Sequence, residues 1–253
     1  MPPVSTPAIV LGAIRYSETS KIVRLATRDL GIQSAIAKGA LRPKSSFGAS
    51  LQALSEGQAQ LYLKEARELQ TLAAFDLTHL RVGLAAELPR YAAASVLAEV
   101  MLQFAPAAPH PPSFDLLSGG LTLLETAPAD AVDVLGLRLL WRLISVLGFA
   151  PSLDRCVRDG VAIPPDGPLA FSAGEGGALC AACAAGHGAT RLTPSDRADL
   201  VALVRPEGDL PTLDARHTAA HRRLLARFLR YHLADGAELP ALGFWEQRPW
   251  EPA

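Results

Sequence analysis

Three cysteines in the second half of the chain have a spacing typical of metal-binding ribbons. Cys156 lies three positions before Asp159, and Cys180 lies three positions before Cys183. A ribbon with four cysteines would read C-x2-C twice, which is a strong zinc signature. Asp159 stands in the place of one cysteine, and zinc also accepts a carboxylate oxygen. The spacing therefore predicts a Zn²⁺ site made of Cys156, Asp159, Cys180 and Cys183.

The fourth ligand of this site is open at the level of sequence. His187 is an alternative to Asp159, since zinc also binds imidazole nitrogen. A ribbon that has lost its metal and keeps free thiols is another alternative. Three protein ligands with an open fourth position would indicate a catalytic zinc. Glu175, however, lies in a glycine-rich turn and is a poor general base for such a site.

Motifs of other enzyme classes do not occur in the sequence. There is no Walker-type loop, no dinucleotide-binding G-x-G-x-x-G, no G-x-S-x-G nucleophile elbow and no H-E-x-x-H. His217 and His221 have i, i+4 spacing and could bind a metal from one helix face. In a helix so rich in arginine, we expect them to be surface residues instead.

Positive charge is concentrated near the N-terminus, although the whole chain has a formal net charge of −1. Residues 1–50 contain seven basic residues against two acidic ones. Such a cluster suits a phosphate backbone. Phe47 follows a loop with Lys and Ser and could stack on a base, or pack under the loop, which is the reading we favour. The basic residues are Arg15, Lys21, Arg24, Arg28, Lys38, Arg42 and Lys44.

Hydropathy patterning divides the chain into a strand-rich part and a helix-rich part. Short apolar or alternating runs predict five strands, which suggest a small closed barrel of the OB type, although another five-stranded topology is compatible with the same pattern. The predicted strands cover residues 7–15, 21–28, 32–38, 57–64 and 69–75. After residue 80 the period becomes helical. The predicted helices cover residues 85–104, 113–125, 130–148, 195–204 and 217–232.

Composition excludes several classes of protein. Hydrophobic residues make up 49% of the 253 residues and charged ones 19%, which argues against disorder. Three cysteines without a secretory context argue against a disulfide framework. We find no signal peptide and no apolar run of membrane-spanning length free of arginine, so we expect a cytoplasmic protein.

Two further groups of basic residues lie in the helical part. Arg138 and Arg142 share one face of an apolar helix. They could pair with carboxylates such as Glu99 or Glu125, or line a pocket for an acidic partner. The last long helix carries Arg216, His217, His221, Arg222, Arg223, Arg227 and Arg230. This is either the polar face of an ordinary amphipathic helix or a second surface for nucleic acid or acidic peptide.

Several of these segments, in this order, resemble the RecO recombination mediators. The N-terminal resemblance lies in the runs YSETSKIV at 16–23, TRDLG at 27–31 and AKGA at 37–40, followed by Arg42, Lys44, Ser45 and Phe47. The C-terminal resemblance lies in LGFAPSLDRC at 147–156, GGALCAAC at 176–183 and the closing helix at 222–233. The resemblance covers most of the chain.

The resemblance implies a fold and a division into domains. It implies an N-terminal five-stranded OB-fold β-barrel, residues 1–79, followed by an all-α domain, residues 80–253. A zinc-ribbon-like insertion at about residues 152–190 would interrupt the helical domain. Members of the family that bear zinc have Cys where this chain has Asp159, and some members lack the metal, which puts Zn²⁺ binding in doubt without affecting the fold.

The resemblance also implies a function and a set of partners. RecO proteins are not enzymes. They bind single- and double-stranded DNA, anneal complementary strands and contact the C-terminal tail of single-strand-binding protein. With RecR, and in some organisms RecF, they help to load RecA. The implied DNA-binding residues are Arg15, Lys21, Arg24, Lys38, Arg42 and Lys44, and the implied partner-tail site is Arg138 with Arg142.

Two other functions are compatible with the residues alone. A zinc-dependent enzyme would use the cysteine cluster as a three-ligand site with an exchangeable water. A protein adaptor would use the basic patches to bind acidic proteins, and its affinity for nucleic acid would stay weak even at low salt.

Overall fold

The computed structural model describes residues 2–64, 67–186, 188–233 and 238–250. It divides the chain into two compact units, Met1–Ala127 and Pro128–Ala253. The first unit contains the barrel and three helices, and the second contains the ribbon and the other helices. The predicted architecture, an OB-like barrel followed by a helical part with a ribbon-like segment, is confirmed. The domain limits 1–79 and 80–253 stay a prediction.

Five strands form a closed barrel in the order β1-β2-β3-β5-β4. All neighbouring strands are antiparallel except β3 and β5, which run parallel and close the barrel. The predicted strands are found with their ends shifted by a few residues. The strands are β1 (Val4–Arg15), β2 (Lys21–Thr27), β3 (Gly31–Ala37), β4 (Glu56–Tyr62) and β5 (Leu69–His79).

The interior of the barrel is filled by alternate residues of the strands and by one loop. Val23, Leu25 and Leu61 point inward and are inaccessible to solvent, as the period of two predicts. Phe47 and Leu51, from the loop between β3 and β4, join this core. Phe47 is 5% exposed, so it packs under the loop and does not present its ring to a ligand.

Three helices complete the first unit: α1 (Val82–Ala86), α2 (Leu88–Phe104) and α3 (Pro111–Thr126). The sequence predicted one helix over residues 85–104, but the backbone becomes extended at Glu87. Pro89 explains the break, because proline has no N–H to continue the hydrogen bonds of α1 and is well suited to a helix start.

Gly31, the first residue of β3, lies very close to the segment between α2 and α3. Its φ is +70°, and a Cβ on this residue would lie 2.2 Å from the carbonyl oxygen of Ala107.

The second unit is built on an apolar helix, α4 (Val132–Val146). Trp141 of this helix lies 5.1 Å from Phe228 and 6.5 Å from Phe171 between ring centroids, both in edge-to-face geometry. These contacts join α4 to the ribbon strand and the last long helix. The other elements are β6 (Leu169–Ser172), β7 (Gly177–Leu179), α5 (Ala181–Ala184), β8 (Thr190–Leu192), α6 (Pro194–Val204), α7 (Ala215–Leu233) and α8 (Pro240–Gln247).

A buried arginine connects the barrel to α3 within the first unit. The side chain of Arg81 is 1% exposed, and its guanidinium pairs with Glu56 of β4. It also donates to the hydroxyl of Thr122 at 2.9 Å and to the carbonyl of Ser118 at 3.2 Å. The hydroxyl of Ser118 donates to Glu56 at 2.8 Å. The positive charge therefore has its partners inside the fold.

We expect Arg81→Ala to destabilise the protein by about 3–5 kcal/mol, because it leaves the carboxylate of Glu56 partly buried without its partner. The measurement is chemical denaturation of wild type and variant. Arg28→Ala is the matched control, since Arg28 pairs with Asp115 through side chains that are 42% and 52% exposed, and such surface pairs contribute little. Equal midpoints for the two variants would contradict this account.

Candidate nucleic-acid interface and metal centre

Strand pairing brings predicted DNA-binding residues together at one end of the barrel. Arg15, the last residue of β1, pairs with Lys21, the first residue of β2. Lys21 pairs in turn with Ala37, the last residue of β3 and the neighbour of Lys38. Three cations from three strand ends therefore share one mouth of the barrel. Arg15 and Lys38 are exposed, and Lys21 is half-buried.

The β3–β4 loop adds two exposed cations, Arg42 and Lys44, to the same end. The amide of Leu41 donates to the carbonyl of Thr19 at 3.0 Å, which ties the loop to the β1–β2 turn. The side chain of Arg42 lies over Gly39, whose Cβ position would be 3.6 Å from Cδ of the arginine. The buried ring of Phe47 anchors the loop from beneath.

Arg24 lies on a different side of the barrel wall from Lys21. It is exposed, whereas its neighbours Val23 and Leu25 are buried. This agrees with the alternation predicted for the strand, which places Ile22 and Arg24 on one face. Arg24 pairs with Ser34 of β3, a half-buried residue with a hydroxyl that can also bond a phosphate oxygen.

A row of outward-facing residues crosses four strand boundaries beside these cations. The register connects Ile14 to Ile22, Ile22 to Ile36, Ile36 to Thr71 and Thr71 to Tyr62. Ile14 is 65% exposed and Tyr62 is 44% exposed. Exposed aromatic rings and exposed cations on one barrel are the usual composition of a single-strand-binding surface.

The sequence analysis gave Tyr62 no role in binding, although Leu61-Tyr62 is part of the resemblance to the RecO family. The alternation of buried and exposed residues in β4 places Tyr62 on the outer face, and this alternation is visible in the sequence. The row that connects Tyr62 to β3 exists only because β5 pairs with β4 and, in parallel, with β3. Lys64 and Arg67 were also missed, and both are exposed in the segment that connects β4 to β5.

Arg28, the seventh basic residue of the N-terminal cluster, has a partner on α3. Its guanidinium makes two hydrogen bonds to the carboxylate of Asp115, at 2.8 and 3.0 Å. These bonds hold the pKa of Asp115 below its usual range. Arg28 is thus charge-compensated within the unit, which sets it apart from the cations at the barrel mouth.

The predicted metal ligands come together in the ribbon. The ligand atoms of Cys156, Asp159, Cys180 and Cys183 all lie within 4.8 Å of one another. Cys156 opens a tight turn, in which the amide of Gly160 donates to its carbonyl at 2.9 Å. Cys180 caps α5 and accepts the amide of Cys183 on its sulfur at 3.4 Å. Two short loops therefore present the four side chains to one point.

Asp159 occupies the position of a fourth ligand in this cluster. One oxygen of its carboxylate lies 3.2 Å from the sulfur of Cys180 and 3.3 Å from that of Cys183. The hydrogen bond to Asp159 raises the pKa of Cys183 to about 12. Hydrogen bonds from the thiol of Cys156, the amide of Val161 and the thiols of Cys180 and Cys183 lower the pKa of Asp159. Three sulfurs and a carboxylate oxygen fit the coordination chemistry of Zn²⁺. The alternative ligand His187 lies outside the described residues.

Comparison with known proteins decides the family. Residues 1–81 match the model of the N-terminal part of recombination protein O, and residues 85–238 match that of its C-terminal part. The chain is 32% identical to the DNA repair protein RecO of Anaeromyxobacter dehalogenans, over 96% of both chains. It is 34% identical to that of a Nocardioides species, over 90% of this chain and 94% of the relative.

The chain belongs to the RecO family. The RecO of Thermobifida fusca shows the same level of similarity, 32% identity over 90% of this chain. The family resemblance found in the sequence is therefore confirmed over most of the chain. Within the described residues, the helices are too short or too polar for any of them to span a membrane.

Arg138, one of the two residues that the RecO resemblance assigns to partner binding, is buried at 8% exposure. Its guanidinium donates to the backbone carbonyls of Ala202, Gly208 and Asp209. Arg138 therefore holds the end of α6 and the segment after it. Glu125, one of the two carboxylates suggested as partners of Arg138 and Arg142, pairs with His79 at 2.8 Å. Arg142 is half-buried. Binding of a partner by these two residues stays a prediction.

The polar face of α7 is less exposed than the sequence suggested. His221 is 2% exposed and Arg222 is 5% exposed, so two residues expected at the surface are interior. Arg222 lies 3.5 Å from the carboxylate of Asp133, with its guanidinium over the ring of Trp245. Arg216, Arg223, Arg227 and Arg230 are exposed as expected.

Proposed function

We propose that this protein is a non-enzymatic mediator of DNA repair and homologous recombination. In this proposal it binds single- and double-stranded DNA and anneals complementary strands in the cytoplasm, at the nucleoid. The observation that carries the proposal is the convergence of Arg15, Lys21, Lys38 and the loop cations at one end of an OB-like barrel. Membership of the RecO family supports the same function.

Annealing requires the close approach of two polyanionic strands. Cations at the mouth of the barrel can neutralise phosphates of a bound strand and release its counterions. Because phosphate contacts carry no base information, such a surface binds any sequence and leaves base pairing to choose the partner strand. No covalent step is involved, so the chemistry needs no general base.

The outward row that ends in Tyr62 supports a preference for unpaired bases. Every base has a π face, and stacking on an aromatic ring is therefore tolerant of sequence. A strand whose phosphates lie along Arg24 and the mouth cations could place a base on Tyr62. We include Tyr62 in the proposed DNA-binding surface for this reason.

The protein partners follow from the family and are proposals for this chain. We propose that the second unit receives the acidic C-terminal tail of single-strand-binding protein near Arg142, while Arg138 positions the neighbouring backbone. RecR, and RecF where it is used, would act with the bound protein to load RecA. Binding to this tail would bring the barrel to DNA strands that are already coated by single-strand-binding protein.

We propose that the ribbon cluster binds Zn²⁺ as a structural ion. Four protein ligands leave no open position for a water, which is the arrangement of structural sites. Cys156, Cys180, Cys183 and Asp159 would hold the metal. It would link the turn at residues 156–160 to the start of α5, and its binding energy would stabilise the fold of the ribbon.

The first test is annealing of complementary oligonucleotides without nucleotide, with the strands bare and then coated by single-strand-binding protein. Acceleration in both conditions is the expected result. Acceleration on bare strands alone would remove the partner-tail proposal. No acceleration in either condition would contradict the mediator function and favour a protein adaptor.

Charge reversal at Lys38 and Lys44 is expected to weaken binding equally for all DNA sequences, since both are placed as phosphate contacts. With about five such contacts, the plot of log affinity against log salt concentration should have a slope of about −3.5 on single strands. Lys38→Glu with Lys44→Glu should make that slope less steep by about 1.4. Fluorescence anisotropy at several salt concentrations measures both values.

Arg205→Glu is the control for charge reversal, because Arg205 is an exposed arginine of the second unit. Its slope should equal that of the wild type within error. An unchanged slope in the lysine variant, or an equal change in the Arg205 variant, would remove the barrel mouth from the binding site.

Tyr62→Ala is expected to weaken single-strand binding by about 1–3 kcal/mol for the base that stacks on the ring. Binding to a duplex should change less, because its bases are already stacked. Tyr231→Ala is the control, since Tyr231 is 70% exposed on α7. Equal losses on single strands and duplex would contradict a stacking role for Tyr62.

Cys183→Ala removes one of the three thiolates of the ribbon cluster. We expect this change to abolish metal binding at the ribbon and to lower the melting temperature of the zinc-loaded protein. Binding is followed by the thiolate-to-cobalt absorption of the Co²⁺-substituted protein and its loss on adding Zn²⁺. Ala182→Ser is the control. The metal must displace the proton of Cys183, so apparent affinity should fall as the pH is lowered. A wild-type protein without this absorption would contradict the zinc proposal.

A further inference from the structure

A second group of metal-ligating side chains lies between α6 and α7, away from the cysteine cluster. We propose that Asp196, Asp199 and His221 form a binding site for a first-row divalent transition ion, with His217 as a fourth ligand. The ligand atoms of the first three residues lie within 4.8 Å of one another. The proposal does not depend on DNA binding.

The imidazole of His221 carries the argument. It is 2% exposed, and within the described residues neither of its ring nitrogens has a hydrogen-bond partner. A buried polar group without a partner costs free energy and is rare in native proteins. The ring nevertheless faces two carboxylates. A metal ion between these groups would satisfy a nitrogen of His221 and both acids together.

The two helices present the ligands at the spacings that metal sites use. Asp196 and Asp199 stand at i, i+3 on α6, and His217 and His221 stand at i, i+4 on α7. Residues at these spacings lie on one helix face. Two pairs from two helices can therefore point at one ion. This arrangement needs α6 and α7 side by side, which the sequence did not reveal.

Hydrogen bonds outside the cluster orient two of the ligands. One oxygen of Asp196 accepts the hydroxyl of Thr193 at 2.6 Å, while the other lies 3.9 Å from Nε2 of His217. Nδ1 of His217 lies 2.7 Å from the carboxylate of Asp214. A histidine that donates one ring N–H to a carboxylate presents its other nitrogen to a metal, as is usual in metal sites.

The donor set favours an ion of the zinc type over calcium or magnesium. Imidazole nitrogen suits Zn²⁺ and its neighbours, whereas Ca²⁺ and Mg²⁺ take oxygen ligands. Two carboxylates with neutral imidazoles balance the charge of a divalent ion. Asp196 and His221 also border a cleft of about 400 Å³, which gives an ion a route inward.

The decisive experiment uses the full chain with Cys180→Ala and Cys183→Ala, so that the ribbon cannot bind metal through its paired thiols. Titration with Co²⁺ should then show one bound equivalent, with ligand-field bands and without thiolate-to-cobalt absorption. Zn²⁺ should displace the Co²⁺ and raise the melting temperature. Asp199→Asn in this background should weaken Co²⁺ binding at least tenfold.

Three further variants separate ligation from folding. Asp214→Asn keeps a side-chain oxygen that can accept the amide of His217 at the start of α7, but it removes the charge of the carboxylate beside Nδ1 of His217. Loss of such an outer partner typically costs about 10–100-fold in metal affinity. Glu207→Gln removes an exposed acid just after α6 and should change nothing. His221→Leu should abolish binding, and if it fails to fold, Asp199→Asn decides.

Three results would overturn the proposal. The first is a Cys180→Ala, Cys183→Ala background that binds no Co²⁺. The second is Co²⁺ binding that Asp199→Asn leaves unchanged, because the ion would then lie elsewhere. The third is an equal loss in the Glu207→Gln control, since this would indicate only a general attraction of the cation to acidic surface.

Discussion

Closure of the five-stranded barrel is the constraint on which the proposed DNA-binding surface depends. The parallel pairing of β3 with β5 is what closes the sheet, and it fixes the register all round. A shift of one residue would reverse which side chains face the core. Because Val23 and Leu25 must be inside, Arg24 must be outside, and the ends of β1, β2 and β3 must meet. The clustering of cations is therefore a consequence of how the core is packed.

Arginine has two distinct roles in this protein, and burial separates them. Arg81, Arg138 and Arg197 are nearly inaccessible and donate to carboxylates or backbone carbonyls inside their own units. The planar guanidinium has five donors and can join several acceptors at once, which suits it to this use. Arg15, Arg24 and Arg42 are exposed instead. Counting arginines in a sequence thus overestimates the charge that a ligand can meet.

The ribbon and the α6–α7 cluster illustrate how differently two groups of proposed metal ligands can be encoded. The ribbon ligands lie in two short loops, so most of their geometry is local, and the C-x2-C spacing revealed them. The α6–α7 ligands lie on two helices joined by a connection of irregular structure. Their spacing within each helix was visible for His217 and His221, but nothing in the sequence placed Asp196 and Asp199 opposite them.

The sequence by itself determined the strands, most helices, the members of the ribbon cluster and the family. These depend on local periodicity, turn residues and the linear order of motifs, all of which act over a few residues. Only the tertiary structure decided the burial of Phe47, Arg138, His221 and Arg222, and the pairing of Tyr62 with Thr71 in the outward row. It also decided the break at Glu87 and the presence of α8. The physical reason is that the burial of a polar or aromatic side chain depends on partners far away in the chain, and packing chooses those partners.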